Sequence, residues 1–356
     1  MANPLPFCAN VDITTSHFSQ VIKRLDKTGQ EIHMVRTAFR SQFTETMQAN
    51  GIDAVKYYRR VGLPVTESED PESLLPEKPF WRLVNLVAGD RNIPDFGSQV
   101  AVRYPWHRVE TLAPLIGNSK NLKELLITFC EVASSQSSQV RFELETRNGR
   151  YWFAANGNPL VRNDTQMELY RVTCMIQLVQ LAAGSGWRPE RVRLFMPNMS
   201  LTNSCPLIAV SEIEFSCRQT AIAIPDVALE LPVELEIPVS QVNLNNYDIN
   251  ANFIDSLKLI LEIYITHGEC KIDSIAKAID MPSRTLQRRL KAFGTSFNEL
   301  LGEIRFKLAK TKLKSKAWSI RDTSLELGYS DDAHFIRAFK RWSGMTPGEF
   351  RKISSR

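Results

Sequence analysis

Ile320-Arg-Asp-Thr-Ser-Leu-Glu-Leu-Gly-Tyr-Ser-Asp-Asp-Ala-His-Phe-Ile-Arg-Ala-Phe-Lys-Arg-Trp-Ser-Gly-Met-Thr-Pro347 reads as a short helix, a tight turn near residues 328–330 and a second helix. In that second helix Phe335, Phe339 and Trp342 recur at i, i+4 and i+7, which places them on one face. The same pattern occurs once earlier. Ile272-Asp-Ser-Ile-Ala-Lys-Ala-Ile-Asp-Met281 aligns with it at an offset of 48, pairing Ile272 with Ile320, Ala276 with Ser324, Ile279 with Leu327 and Met281 with Tyr329. After one inserted residue, Leu286, Leu290 and Phe293 correspond to Phe335, Phe339 and Trp342. The small residue in each first helix lets the second cross at close range, and Ser283 and Ser330 stand where N-caps are expected. Residues of about 272–294 and 320–344 are therefore two helix-turn-helix units.

Each second helix adds a basic stripe to its apolar one. Arg284, Arg288 and Lys291 share a face in the first unit, with Gln287 beside them and Ser283 and Thr285 at the helix start. Arg337, Lys340 and Arg341 do so in the second, with His334 near its start. Arginine can read guanine bidentately in the major groove, Gln can read adenine, and Lys more often meets phosphate. These ten residues are the candidate DNA contacts. A long helix is predicted between the units, over residues of about 296–313. Leu300, Ile304, Leu308 and Leu313 lie on one side of it, and Arg305, Lys307, Lys310, Lys312 and Lys314 on the other. Such a helix would hold two recognition helices about one DNA turn, roughly 34 Å, apart. A single amphipathic helix is more often just a solvated charged face. The duplication and the charge distribution favour the DNA reading. Residues 251–356 hold 20 Lys+Arg against 12 Asp+Glu, whereas residues 1–250 hold 24 against 27. Asp331 and Asp332 beside the second recognition helix would repel phosphates, so the first unit is expected to carry more sequence specificity.

Residues from about 252 to 351 resemble the DNA-binding domain of the AraC/XylS family of bacterial transcription regulators. The resemblance rests on the Gly328-Tyr329 turn, the spaced phenylalanines, the closing Gly344-Met-Thr-Pro347 and Glu349-Phe-Arg351. In the first unit Ile275-Ala276, Ser283-Arg-Thr-Leu-Gln-Arg-Arg-Leu290 and Gly294 carry it. Thr323-Ser324 departs from the family's apolar residue followed by Ala, which implies looser packing there. The first 230 residues resemble, less distinctly, the sensor domain of the subgroup that includes regulators of ornithine use. That implies an α+β domain in place of the arabinose sensor's cupin barrel. It also implies effector sensing, homodimerisation or both, and RNA polymerase as a partner beside double-stranded DNA.

The N-terminal region has its own mixed pattern. Residues 39–49, 79–88, 99–104 and 118–133 read as helical, and 139–146 and 151–154 as strands joined at Asn148-Gly149. A long apolar helix follows over 166–183, then short strands near 191–197, 212–216 and 220–224. The fold class is thus an α+β domain (1–231), a Pro- and Asn-rich linker (232–251) and an all-α domain (252–356). The N-terminus lacks a signal-peptide pattern and no apolar run suggests a membrane span, so a cytoplasmic protein, nucleoid-associated when on DNA, is expected. Six scattered cysteines and five scattered histidines suggest reduced thiols and no metal site. No catalytic motif or cofactor loop is present, and the expectation is a non-enzyme without cofactor. A DNA-directed alkylation-repair methyltransferase is the enzyme alternative, but Ser204-Cys-Pro206 does not supply its reactive-cysteine context. A regulator whose N-terminal domain only dimerises is another. Arg103, Tyr104, Trp106 and His107 are candidate effector ligands for an anionic or aromatic molecule, an ordinary loop being the commoner reading of such a cluster. Met167, Tyr170, Cys174 and Leu178 on the long helix are more often core than cavity. Effector, operator and the choice between activation and repression stay open.

Overall fold

Short extended segments and long helices alternate through the described residues, and the first of them determines how the two halves join. The structure, a computed structural model, describes residues 32–65, 73–109, 111–138, 140–156, 164–196, 205–208, 211–233, 252–266, 270–315 and 317–354. β1 (Met34–Arg36) leads into α1 (Thr37–Ala49) and α2 (Ala54–Val61); β2 (Leu74–Pro76) leads into α3 (Glu77–Asp90). β1 and β2 form an antiparallel ribbon with Val35 opposite Leu75. α4 (Phe96–Arg103), the short α5 (Ala113–Ile116) and α6 (Leu122–Ala133) follow. Asn121 caps α6 by accepting from the Glu124 N–H at 2.9 Å.

β3 (Arg141–Arg147) and β4 (Arg150–Asn156) form the hairpin that the sequence predicts. Asn148 and Gly149 both have positive φ, 54° and 68°, as a two-residue turn matched to strand twist requires. α7 (Thr165–Ala183) is buried on nearly every face. β5 (Arg191–Arg193), β6 (Glu212–Glu214), β7 (Thr220–Ile224) and the short α8 (Asp226–Leu229) complete this half. The five strands make one open sheet, β3-β4-β7-β5-β6, antiparallel except for the β5–β6 pair. α7 packs on the sheet and against α4. The contact with α4 needs a glycine, because a Cβ on Gly97 would lie 2.1 Å from the Gln166 carbonyl oxygen. The predicted linker lies outside the described residues except for Pro232 and Val233.

Among the described residues seven helices build the rest: α9 (Phe253–Thr266), α10 (Ile272–Ala278), α11 (Ser283–Ala292), α12 (Phe297–Lys314), α13 (Ile320–Glu326), α14 (Asp332–Ser343) and α15 (Pro347–Ser354). α12 begins with a capping box between Ser296 and Glu299, and α13 with one between Ser319 and Asp322. The two halves have separate hydrophobic cores that share the ribbon. Val35 and Leu75 belong to the α+β core, while Met34 and Leu74 belong to the helical one. Successive strand residues point to opposite faces, so a single ribbon can seal both cores.

A Gly97→Ala variant is expected to lose about 1–3 kcal/mol of stability through overpacking against backbone, read as a lower denaturant midpoint.

Candidate nucleic-acid interface and sensor cavity

The duplication seen in sequence extends to the backbone hydrogen bonds. Met281 N–H donates to the Ala276 carbonyl at 2.8 Å, and Tyr329 N–H donates to the Ser324 carbonyl at 3.1 Å. Asp280 N–H donates to Lys277, and Gly328 N–H to Leu325, at the same offset of 48. Both turns pass through the left-handed region, with φ of 52° at Asp280 and 72° at Gly328. Glycine meets that requirement without steric cost, and Asp is one of the few other residues that tolerate it. The helix starts differ from expectation. Pro282 occupies the N-cap of α11 without a side-chain bond, and Ser283 donates its hydroxyl to Asp273 instead. Asp331, not Ser330, caps α14, accepting from His334 N–H at 2.7 Å. That bond, and then the nearby His334, hold the Asp331 carboxyl below its usual range.

Leu286 and Leu290 in α11, and Phe335 and Phe339 in α14, are fully buried and contribute about 1.5–3 kcal/mol each. Their opposite faces carry the candidate contacts. Arg284, Gln287, Arg288, Lys291, His334, Arg337, Lys340 and Arg341 are exposed, and Ser283 and Thr285 are half-buried. His334 pairs with Asp331 at 2.9 Å. Among the described residues the other six basic side chains have no ion-pair partner. Arg289 points the other way, buried with its guanidinium 3.9 Å from the centre of the Phe253 ring.

The basic side of α12 is largely occupied within the fold. Arg305 lies over the Tyr329 ring and Lys310 over Phe306. Lys307 pairs with Glu262 at 2.9 Å, and Lys312 with Glu326 at 3.2 Å while lying over Trp318. Lys314 is exposed. At the departure from the family pattern, Thr323 bonds back to the Ser319 carbonyl at 2.7 Å, while the fully buried Ser324 hydroxyl has no partner.

In the α+β domain the aromatic residues enclose a cavity of about 60 Å³. Its walls include Val35, Phe39, Trp81, Trp106, Phe129, Phe142, Met167 and Tyr170, with Glu77, Gln136, Ser137 and Arg171 as polar groups. Glu77 is 3% exposed and accepts from the Ser137 hydroxyl at 2.9 Å and the Trp81 indole at 3.3 Å. Burial pushes its carboxyl up to about 7 despite those two bonds. Arg171 is committed to Glu168 at 3.1 Å. The predicted cluster of residues 103–107 does not converge on this space. Trp106 lines it, stacked on Phe129 with centroids 4.9 Å apart and donating to Tyr170 at 3.2 Å. Arg103 is exposed, and the Tyr104 hydroxyl donates to Glu45. Burial and then Arg108 push the half-buried His107 down to about 4, which leaves it neutral. Cys174 and Leu178 are core, as their helical stripe predicts, whereas Met167 and Tyr170 reach the cavity. Sequence reasoning missed Glu77, Trp81 and Arg171, because Leu-Leu-Pro-Glu-Lys-Pro reads as an exposed turn until its burial is known. Cys205 is buried, with its sulfur 3.5 Å from Ser98 Oγ and 3.7 Å from Thr173 Oγ1, a poor position for a methyl acceptor.

Cavity and first helix-turn-helix unit are joined by short paths. Val35 and Glu77 line the cavity, while Met34 and Leu74 on the ribbon belong to the same core cluster as Leu257, Leu261 and Ile275. One turn into α3, Lys78 and Arg82 both pair with Asp280, the turn residue between α10 and α11. Partial burial works against that carboxylate, but the two cations hold it below its usual range. Tyr264 of α9 donates its hydroxyl to the Gly62 carbonyl at 2.5 Å.

Residues 275–353 match a helix-turn-helix domain family. Residues 51–233, just over half of the chain, match the family described as the arabinose-binding domain of AraC transcription regulator, N-terminal. The chain belongs to the AraC family of transcription regulators. As an AraC-family protein it is a DNA-binding transcription regulator with an N-terminal effector-binding domain. The HTH-type transcriptional regulator VirS of Mycobacterium tuberculosis is 22% identical over 333 residues, covering 87% of this chain and 94% of that protein. The ornithine utilization regulator of Pseudomonas aeruginosa is 30% identical over 81 residues, 23% of this chain and 24% of that one. The crystal structure of the transcriptional regulator CdpR from P. aeruginosa aligns with a TM-score of 0.39 at 14% identity, over 88% of this chain and 98% of that one. These relatives are named as regulators, and no helix among the described residues is long and apolar enough to cross a membrane.

Two measurements follow from buried polar groups. Ser324→Ala, which restores the family's residue, is expected to raise stability by about 1–3 kcal/mol by removing an unsatisfied hydroxyl. For Glu77, the folded state keeps its proton up to about pH 7 whereas the unfolded chain releases it near 4.5. The folded state therefore binds more protons between those values, and this residue's contribution to stability falls as pH rises through that window. Glu77→Gln should gain on the wild type by about 3 kcal/mol from pH 4.5 to pH 8, seen by comparing denaturation midpoints across pH.

Proposed function

We propose that both helix-turn-helix units dock in the major groove, α11 and α14 acting as recognition helices. The observation that carries this reading is the pair of exposed basic faces whose six cations, without an ion-pair partner among the described residues, contrast with the largely engaged cations of α12. In this reading Arg284, Gln287, Arg288 and Lys291, helped by Ser283 and Thr285, read or clamp the operator through α11. Arg337, Lys340 and Arg341 act from α14, with His334 tied to its cap. The pairing of His334 with Asp331 supports a smaller role for α14 in base reading, so α11 supplies more of the specificity. Family membership supports homodimerisation, RNA polymerase as partner and action in the cytoplasm. It also supports division at about residues 231 and 252 into sensor, linker and DNA-binding domain.

The effector in this reading occupies the aromatic cavity, with Trp106 among its contacts, while Arg103, Tyr104 and His107 act from outside it. Its presence is communicated to α10 and α11 through the ribbon and through α3. Thermal-shift measurements across a metabolite panel test for an effector; a flat response would favour an N-terminal domain that only dimerises.

Arg288→Ala and Arg337→Ala should each weaken operator binding by about 1–3 kcal/mol if they touch bases. Equal loss on random DNA would make them phosphate contacts, and a footprint of one major-groove segment per protomer would overturn the two-unit model. Affinity should fall steeply with salt. Lys340→Ala should reduce the slope of log K against log salt by about 1, whereas Lys307→Ala, which removes a cation already paired with Glu262, should leave it unchanged.

A further inference from the structure

Above about pH 7, where Glu77 gives up its proton, the cavity carries an unbalanced negative charge. Glu77 lines it as a buried carboxyl, the buried Glu168 and the half-buried Asp164 lie outside its lining on and before α7, and Arg171, the cation that acts on all three, is spent on Glu168 at 3.1 Å. The hydrogen bonds that Glu77 accepts come from the neutral Ser137 hydroxyl and Trp81 indole, so they orient the carboxylate without cancelling its charge. A buried carboxylate without a cation is costly, and a ligand that brings one relieves the cost. The walls favour the same chemistry. Phe39, Trp81, Trp106, Phe129, Phe142 and Tyr170 present aromatic surface that attracts an ammonium and accepts an alkyl body. A volume of about 60 Å³ limits the occupant to a few heavy atoms.

We infer that the cavity binds a small aliphatic amine in its ammonium form, with the nitrogen on the Glu77 carboxylate and the alkyl group among the rings. This assignment rests on the effector reading of the N-terminal domain and names the chemical class that reading leaves open. A carboxylate ligand would meet Glu77 with like charge, and an alcohol would leave the buried charge uncancelled.

Trp81 and Trp106 give a direct readout. The full-length protein at pH 8 is titrated with isobutylamine, isobutanol and isobutyrate, three molecules of similar shape and different charge, while tryptophan fluorescence is followed. The amine is expected to bind at least tenfold more tightly than the alcohol, and the carboxylate not at all. In Glu77→Gln the amine's advantage should shrink to within about twofold, with alcohol binding retained. Ala133→Leu, which fills the cavity and keeps Glu77, should abolish both. Alcohol or carboxylate binding equal to the amine, or an amine preference that survives Glu77→Gln, overturns the cation assignment and leaves the effector reading standing. Silence from all three ligands also overturns the assignment, and a metabolite panel that is flat as well removes the effector reading with it.

Discussion

The two-stranded ribbon of β1 and β2 is the constraint on which the rest of the molecule depends. It has three residues per strand, too little to be stable alone, and it persists because both faces are buried. Val35 and Leu75 complete the core that holds the cavity, and Met34 and Leu74 complete the core that holds the first helix-turn-helix unit. The ribbon is further fixed by the bond from Met34 N–H to Ser138 Oγ at 2.9 Å and by the bridge between Val35 and Ser137. In the proposed reading, a rearrangement of the cavity wall reaches α9 and α10 through this ribbon. Tight interiors transmit such shifts because they have few voids to absorb them.

The second join is electrostatic and falls where the duplication is broken. At the turn position where the second unit has Gly328, the first has Asp280, and Lys78 and Arg82 reach that carboxylate. The two units thus share a backbone but not a neighbour. The first is tied to the α+β domain, whereas the second is anchored on α12, with Trp342 against Gly302 and Phe306 between Phe339 and Trp342.

What the sequence made legible follows from locality. The duplicated units could be read because their apolar spacing, small crossing residue and turn all lie within about 23 residues of one another, and the chemistry repeats. The β3–β4 hairpin was equally legible from Asn148-Gly149 and alternation. The ribbon was not, since two strands of three residues separated by most of forty positions carry no periodic signal. The cavity escaped for a related reason. Glu77 looks solvent-facing in sequence, and packing of distant segments, including α3 against α7, buries it. Of the residues singled out from 103 to 107, the structure brings Trp106 alone to the cavity wall. The cations of α12 illustrate the opposite limit: their charge is plain in the sequence, but their partners Glu262, Glu326, Tyr329 and Trp318 come from three other segments.

Arg288 and Arg289 are neighbours in sequence, yet one faces solvent and the other lies under Phe253. Adjacent helix positions are separated by about 100° of rotation, so the buried guanidinium acts as a torsional stop on α11. A roll of one residue in either direction would tear Arg289 from the ring or force an exposed polar side chain of α11 into the core. The angular register of the face proposed to read DNA is consequently set from inside the domain, before any operator is met.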